Sequence, residues 1–418
     1  MVLLFRRVVV TGYGSLTSLG ENSAEAWEAI MNGKLGYRKF ELENQQIKAK
    51  FFSFLDENKA RYRGIPKAIS RALPAFAKNA VVAAREAIDM AFGSPEAIAE
   101  HYPAHECGVI IGTGWGGLDE AYDIRDAYRD TGFGSPLGSL ISMPSIATGA
   151  CTLMWNLRGY QNTVIAACAT GTIAIGDAYE AIRQGRASMM LAGGSETLRN
   201  ETNIWNIDVL NALSKEQQDA ERACCPFDRR RSGFVLAEGA AVLCLEELEH
   251  AQHRGATILG EIKGYGSFSD ARDFTAPAED MLARVKSIEF ALKQAGKRPE
   301  DIDYINAHGT STPLNDLNES NAIKAALGGY AKHVPASSTK SYSGHLISAA
   351  GSFESIICLK AIETGILPGT ANLLESDPEC DLNYLPNGHL HGQTVDTTLN
   401  LSFGFGGANA ALVIERAR

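Results

Sequence analysis

Apolar positions along this chain switch repeatedly between strand-like runs and helix-like periods. Residues 7–11 (RVVVT) form a short apolar run that predicts a first strand, ending in the turn Gly12-Tyr13-Gly14. Asn22, with Glu25 three residues on, predicts the cap of a helix that runs to Gly33. A helical period from about Ile69 to Ala91 predicts a long helix, and residues 108–111 predict a buried strand leading into Gly112-Thr113-Gly114-Trp115-Gly116-Gly117. Thr163 to Ala167 reads as a further buried strand. Ile173, Ile175, Ala178, Ala181 and Ile182 then recur at helical spacing until Gly185, and residues 187–192 predict the next strand.

The pattern then begins again. Residues 240–246, 257–265 and 302–307 predict strands, a helix is expected from about Met281 to Ala295, another from Leu346, and the last strand from Ala410 to Glu415. Gly264-Tyr265-Gly266-Ser267 repeats Gly12-Tyr13-Gly14-Ser15, weak support for two related halves, residues 1–250 and 251–418. Such alternation predicts α/β architecture with helices covering the sheets. No low-complexity linker separates the halves, which favours one fused core.

Composition narrows the class. With 45% hydrophobic and 21% charged residues the 418-residue chain matches an ordinary globular protein. Its apolar runs all fall short of the ~20 residues of a membrane span, and its N-terminus has arginines after a very short apolar stretch, the reverse of a signal peptide, so a cytoplasmic location is expected. Eight cysteines without a C-x-x-C pair are read as reduced thiols, with no metal site. A net charge of −10 argues against nucleic acid or an anionic membrane as partner. Residues 58–84 run the other way, with Lys59, Arg61, Arg63, Lys67, Arg71 and Lys78 and no acidic residue; they are either a solvated face or a dock for an acidic protein. The glycine stretches at Gly12 and Gly112 are read as tight turns or close backbone approaches, not as dinucleotide sites.

Candidate chemistry gathers at Cys168, where a strand is expected to turn into a helix. Unpaired N–H groups and the positive dipole end of a first helical turn favour a thiolate and offer donors to an oxyanion; a small core thiol is the plainer alternative. Three loops of the second half hold possible partners: residues 306–313 with His308, residues 337–345 with Lys340 and His345, and residues 401–409 with Phe403 and Phe405.

Taken in order, Cys168 in ACATG, CPFDRRRSGFVLAEG (225–239), NAHGTSTP (306–313), SSTKSYSGH (337–345) and SFGFGGAN (402–409) resemble the β-ketoacyl-acyl carrier protein synthases, most nearly the synthase II kind. The resemblance spans Arg7 to Glu415. It implies a thiolase-like fold of duplicated α/β halves in five layers, α-β-α-β-α, working as a homodimer or with a related synthase subunit. It implies further that Cys168 takes an acyl chain as a thioester, that His308 and His345 donate to the enolate of a malonyl thioester, and that the N–H groups of Cys168 and Phe405 form an oxyanion hole. Lys340 is assigned an ion-pair role, with Glu319 as partner and Glu354 nearby. Thr310 and Thr312 match positions that bind the phosphopantetheine arm, and Phe405, next to Phe403, is read as a gate or as a core aromatic. Lys67 and Arg71 match part of a docking patch for the acidic acyl carrier protein; no cofactor is implied beyond the carrier's own arm. Trp115 stands where relatives carry a smaller aliphatic residue at the bottom of the acyl pocket, so short or unusual primers are expected. Asn315, Ala408 and Leu401 also depart from the usual residues. A non-catalytic chain-length-factor-like subunit and a thiolase are the rival readings; the first lacks the cysteine, and the second uses a further cysteine in the C-terminal loop, which SFGFGGAN does not contain.

Overall fold

The computed structural model of the protein describes residues 5–386 and 388–418. Ten strands, numbered along the chain, build the main sheet: β1 (Val8–Leu16), β2 (Cys107–Gly112), β3 (Gln161–Asn162), β4 (Met189–Glu196), β5 (Gly239–Glu247), β6 (Gly260–Ser269), β7 (Tyr304–Asn306), β8 (Ala336–Ser337), β9 (Thr397–Phe403) and β10 (Ala408–Glu415). Their order is β8-β7-β9-β10-β6-β1-β5-β4-β2-β3. The central pairing of β1 with β6 is brief, running only from Val8↔Ile262 to Val10↔Gly260, and it joins two five-stranded parts.

Both parts have one topology. In each, the first strand pairs antiparallel with the fifth and the fifth antiparallel with the fourth, while the fourth, second and third run parallel. The repeated Gly-Tyr-Gly-Ser lies inside the first strand of each part, so Gly12-Tyr13-Gly14 is not the turn expected there. A Cβ on Gly12 or Gly14 would stand 2.1 Å from the carbonyl oxygens of Ala87 and Ala83; on Gly264 or Gly266 it would stand 2.0 and 2.1 Å from those of Ala291 and Ser287. Both pairs of glycines therefore let an outer helix lie directly on its sheet.

Those outer helices are α1 (Ala75–Phe92) on the first part and α3 (Leu282–Ala295) on the second, the latter flanked by α4 (Pro313–Leu327). Between the two parts, α2 (Thr170–Arg183) and α5 (Ala350–Thr364) pack on each other and on both. The layers are thus α-β-α-β-α, the thiolase-like arrangement. Ile175, Ile182, Leu243, Phe353, Ile357 and Leu412 belong to the central core, each burial of this kind being worth about 1.5–3 kcal/mol.

Three expectations are corrected. Thr163–Ala167 is not a buried strand: only Gln161 and Asn162 pair, at the sheet's outer edge, and Ile165 is 58% exposed, because no further strand covers that side. The helix expected over Ile69–Ala91 is split into Lys67–Ser70 and α1, since Pro74 lacks an N–H and holds its predecessor out of the helical region. Leu401–Phe403, read as loop, is the end of β9. Among the described residues no helix is long and apolar enough to cross a membrane.

Candidate active site

The two central helices begin in the same unusual way. A 3-10 turn at Ala167–Ala169 precedes α2 and another at Ile347–Ala349 precedes α5, and their first residues adopt left-handed backbone, φ 46° at Ala167 and φ 51° at Ile347. For a β-branched residue this is a strained conformation, kept because the packing around it leaves no alternative. The first turn sets Cys168, 6% exposed, at the head of α2. The second directs the Ile347 N–H onto Nδ1 of His345 at 3.1 Å. Nδ1 is then the acceptor, so the neutral ring carries its proton on Nε2, which is buried and has no partner. Main-chain bonds to Val235 (2.7 Å) and from Ala237 (3.0 Å) tie His345 to a small sheet of Arg38–Lys39, Phe51–Ser53 and Leu236–Ala237.

His308 leaves the end of β7. Its N–H and that of Gly309 donate to Glu319 on α4 at 2.7 and 2.8 Å, and the Thr310 N–H donates to Asp316 at 3.0 Å. Two carboxylates thus shape the turn that presents the ring. The two imidazoles meet edge to face, centroids 5.4 Å apart. Sγ of Cys168 and one ring nitrogen from each histidine all lie within 4.8 Å of one another.

The charges around them decide protonation. Lys340 pairs with Glu354, both fully buried, and not with Glu319 as expected; Glu319 is occupied by the His308 and Gly309 N–H groups. Burial pushes Glu319 up to about 7. Burial, and then the positive charge of Lys340, hold both imidazoles well below the usual histidine range, so they are neutral at neutral pH. Burial also pushes the Cys168 thiol up to about 12, against the opposing pull of Lys340 and the Phe405 N–H. The thiolate expected at the helix end is therefore not the resting form; burial outweighs the pull of Lys340 and of the Phe405 and Cys168 N–H groups. Burial pushes Glu354 up to about 7 even beside Lys340, so K340M is expected to leave it protonated and to cost about 1–3 kcal/mol of stability in urea unfolding through the lost charge-assisted hydrogen bond. A loss above about 3 kcal/mol would mean that Glu354 stays charged without its partner.

A cavity of about 320 Å³ reaches from Cys168, His308 and His345 past Thr310, Thr312 and Phe405 to the surface. The Thr310 and Thr312 hydroxyls bond each other at 2.9 Å, and Thr312 also caps α4. Phe405 is half-buried beside Gly404, where a Cβ would lie 3.2 Å from the Cys168 nitrogen; the glycine lets this loop touch the nucleophile turn. Phe403 sets its edge against His308 at 5.8 Å, and Phe234, unnoticed in the sequence, sets its edge against His345 at 5.1 Å.

Trp115 does not line this cavity. It packs half-buried on the apolar cluster that holds Cys168, Leu198, Ile204, Ile207 and Ile347. By spacing, Gly112-Thr113-Gly114-Trp115-Gly116-Gly117 fits G-x-G-x-x-G, a match that its reading as a tight turn passed over. Its N–H groups are spoken for, however: those of Gly114 and Trp115 donate to buried Glu196 at 2.7 and 3.4 Å, a carboxylate where a phosphate would sit. W115I is expected to open space behind Cys168 and raise activity on long acyl thioesters by about tenfold, on the order of 1–3 kcal/mol for added apolar contact. Unchanged chain-length use would remove Trp115 as the limit.

Lys67 and Arg71 are exposed, whereas Arg61 of the same segment turns inward onto Glu21 at 2.6 Å. Another residue of the cavity wall was missed as well. Arg284 is buried, and the signal was present: with Ile288, Ala291 and Leu292 it falls on the apolar face of α3.

A helix-head thiol facing two neutral imidazoles, on a duplicated thiolase-like fold, defines a condensing enzyme. The family pattern described as "Beta-ketoacyl synthase, N-terminal domain" matches residues 5–251, and "Beta-ketoacyl synthase, C-terminal domain" matches residues 259–374. The chain is 38% identical over 423 residues to the 3-oxoacyl-[acyl-carrier-protein] synthase 2 of Synechocystis sp., and 37% over 415 residues to that of Staphylococcus aureus, covering 98% of each chain in both cases. A solved chain from "type II PKS acyl-carrier protein in complex with its ketosynthase bound to the hexaketide" superposes with a TM-score of 0.90 at 33% identity, over 99% of this chain and 100% of that one. This chain belongs to the β-ketoacyl synthase family.

Proposed function

We propose that this protein elongates carrier-bound acyl chains by decarboxylative condensation, with Cys168 as acyl acceptor and His308 and His345 as the donors that stabilise the enolate. What carries the reading is the convergence of one thiol and two neutral imidazoles within 4.8 Å at the end of a cavity. In the first step the Cys168 sulfur attacks the acyl thioester, its proton passes to the departing pantetheine sulfur, and an oxyanion forms beside the N–H groups of Cys168 and Phe405. In the second, a malonyl thioester enters along Thr310 and Thr312. Its carbonyl oxygen meets the Nε2–H of His345 and a donor from His308. Loss of CO2 leaves an enolate that attacks the acyl carbon, and the Cys168 thiolate that departs takes up one proton.

A thiolase would need a second cysteine beside the first, and among the described residues the groups clustered with Cys168 are two histidines. A chain-length-factor-like role would leave the nucleophile without purpose. The acidic carrier would dock on exposed Lys67 and Arg71. We further propose a dimer in which the uncovered edge strand β3 pairs with that of a second subunit, burying Ile165 and Leu153, the latter 67% exposed; a monomeric sedimentation mass would exclude it. Eight unpaired cysteines suit a reducing, cytoplasmic setting. The deciding experiment is the intact mass of the enzyme after exposure to a panel of acyl carrier thioesters. An acyl adduct on Cys168 is expected; its absence with every thioester would overturn the mechanism.

A further inference from the structure

Arg284 lines the cavity in front of Cys168 yet is only 5% exposed. Among the described residues no carboxylate lies within ion-pair distance of it. Its Nε has no partner, its Nη1 reaches the Asn315 carbonyl only at 3.5 Å, and its guanidinium lies over the Phe403 ring at 4.3 Å. The acids that feel its charge are Glu319, Asp270 and Asp316. All three are otherwise engaged: Glu319 by His308 and Gly309, Asp316 by Thr310 and Phe227, and Asp270 by Asn409 and Ala278. Burial lowers the guanidinium to about 10, which leaves it charged at neutral pH. A buried cation with open donors and no counter-ion is costly unless something completes it.

Its complement must come through the cavity. The proposed reaction brings in one small anion, the carboxylate of the extender thioester; the phosphate of the carrier arm sits at the arm's far end and cannot reach a side chain this buried. The ring that carries the guanidinium is also the one in edge contact with His308, at 5.8 Å, so Arg284 borders the reacting centre. We infer that Arg284 binds the carboxylate of a malonyl-type thioester and thereby selects dicarboxylic from monocarboxylic thioesters for the second half-reaction. This rests on the condensing reading of the same site. The contact is made to the extender carboxylate and to no atom of the enolate, so removing it is expected to weaken binding of the extender and not to slow the loss of CO2.

The test compares the two half-reactions in R284M, which keeps length and loses charge, and in R284K, which keeps charge. KM for malonyl carrier is expected to rise about 10- to 100-fold in R284M, the range of a charge-assisted hydrogen bond, with kcat within about threefold and with acyl loading of Cys168 unchanged. R284K should recover most of the loss. Independently of any variant, the unmodified enzyme should bind a neutral amide analogue of the malonyl thioester at least about tenfold more weakly than malonyl thioester. Equal losses in both half-reactions, an unchanged KM, or equal affinity for the neutral analogue would each overturn the assignment. Failure of the unmodified enzyme to load an acyl group would instead count against the condensing reading itself.

Discussion

C168A is expected to abolish acyl loading and condensation, by roughly 10⁴-fold or more, while CO2 release from malonyl carrier continues at a comparable rate. The asymmetry follows from the division of the site. The thiol belongs to the head of α2, whereas the groups that face the enolate oxygen come from the end of β7 and from the turn before α5, and neither is held by the cysteine. Among the described residues no other thiol takes part in the cluster. Removing a small side chain from a site where every neighbour is independently anchored costs little stability, on the order of 1 kcal/mol. Acyl adduct mass and CO2 release, measured on one preparation, give the two readouts. Loading that persists in C168A, or CO2 release that falls by the same factor as condensation, would refute the division.

The second large effect is expected at the imidazoles. H345A should slow decarboxylation by about 10²- to 10³-fold, the usual consequence of losing one preorganised donor at a developing oxyanion, and H308A by a similar factor. The two differ in what holds them: His345 owes its tautomer to the Ile347 N–H, and His308 its position to Glu319. The pH dependence follows. Both rings are held below the ordinary histidine range by burial and by Lys340, so any change in CO2 release between about pH 7.5 and 6 should come from Glu319, pushed up to about 7, and not from the imidazoles. Protonation of His345 would place a hydrogen on Nδ1, opposite the Ile347 N–H, and would break that bond. Stability moves with the same sign: the unfolded chain takes up protons at these histidines near pH 6.5 while the folded chain does not, so their contribution is present above that pH and is lost as pH falls below it. A titration of CO2 release centred near 6.5 that persists in E319Q would show that the rings are not held as described.

Much of the architecture was legible because its causes are local. Asn22 accepts the Glu25 N–H and opens a helix at Ser23, and the apolar stretches at β1, β2 and β5 announce themselves by run length alone. The repeated Gly-Tyr-Gly-Ser looked like a turn at Gly12 and like the end of a strand at Gly264. It marks two strands, because what those glycines answer to is a helix backbone some seventy residues away in one half and about twenty-five in the other, which a local reading cannot see. Pro74 was legible and was overlooked under a helical period that continues on both sides of it.

By itself the sequence determined the alternation of strands and helices, the order of five motifs, and so the family and the identity of the residues to watch. Only the tertiary structure decided how they stand to one another: that Lys340 takes Glu354 because backbone N–H groups already hold Glu319, that burial keeps the Cys168 thiol protonated, that Trp115 packs behind the cavity, and that Arg284 faces it unpaired. The reason is physical. Hydrophobic period and capping act over a few residues and survive in the linear text, whereas desolvation and the choice of a charge partner depend on which atoms the fold brings within about 4 Å, a property of the packed chain as a whole.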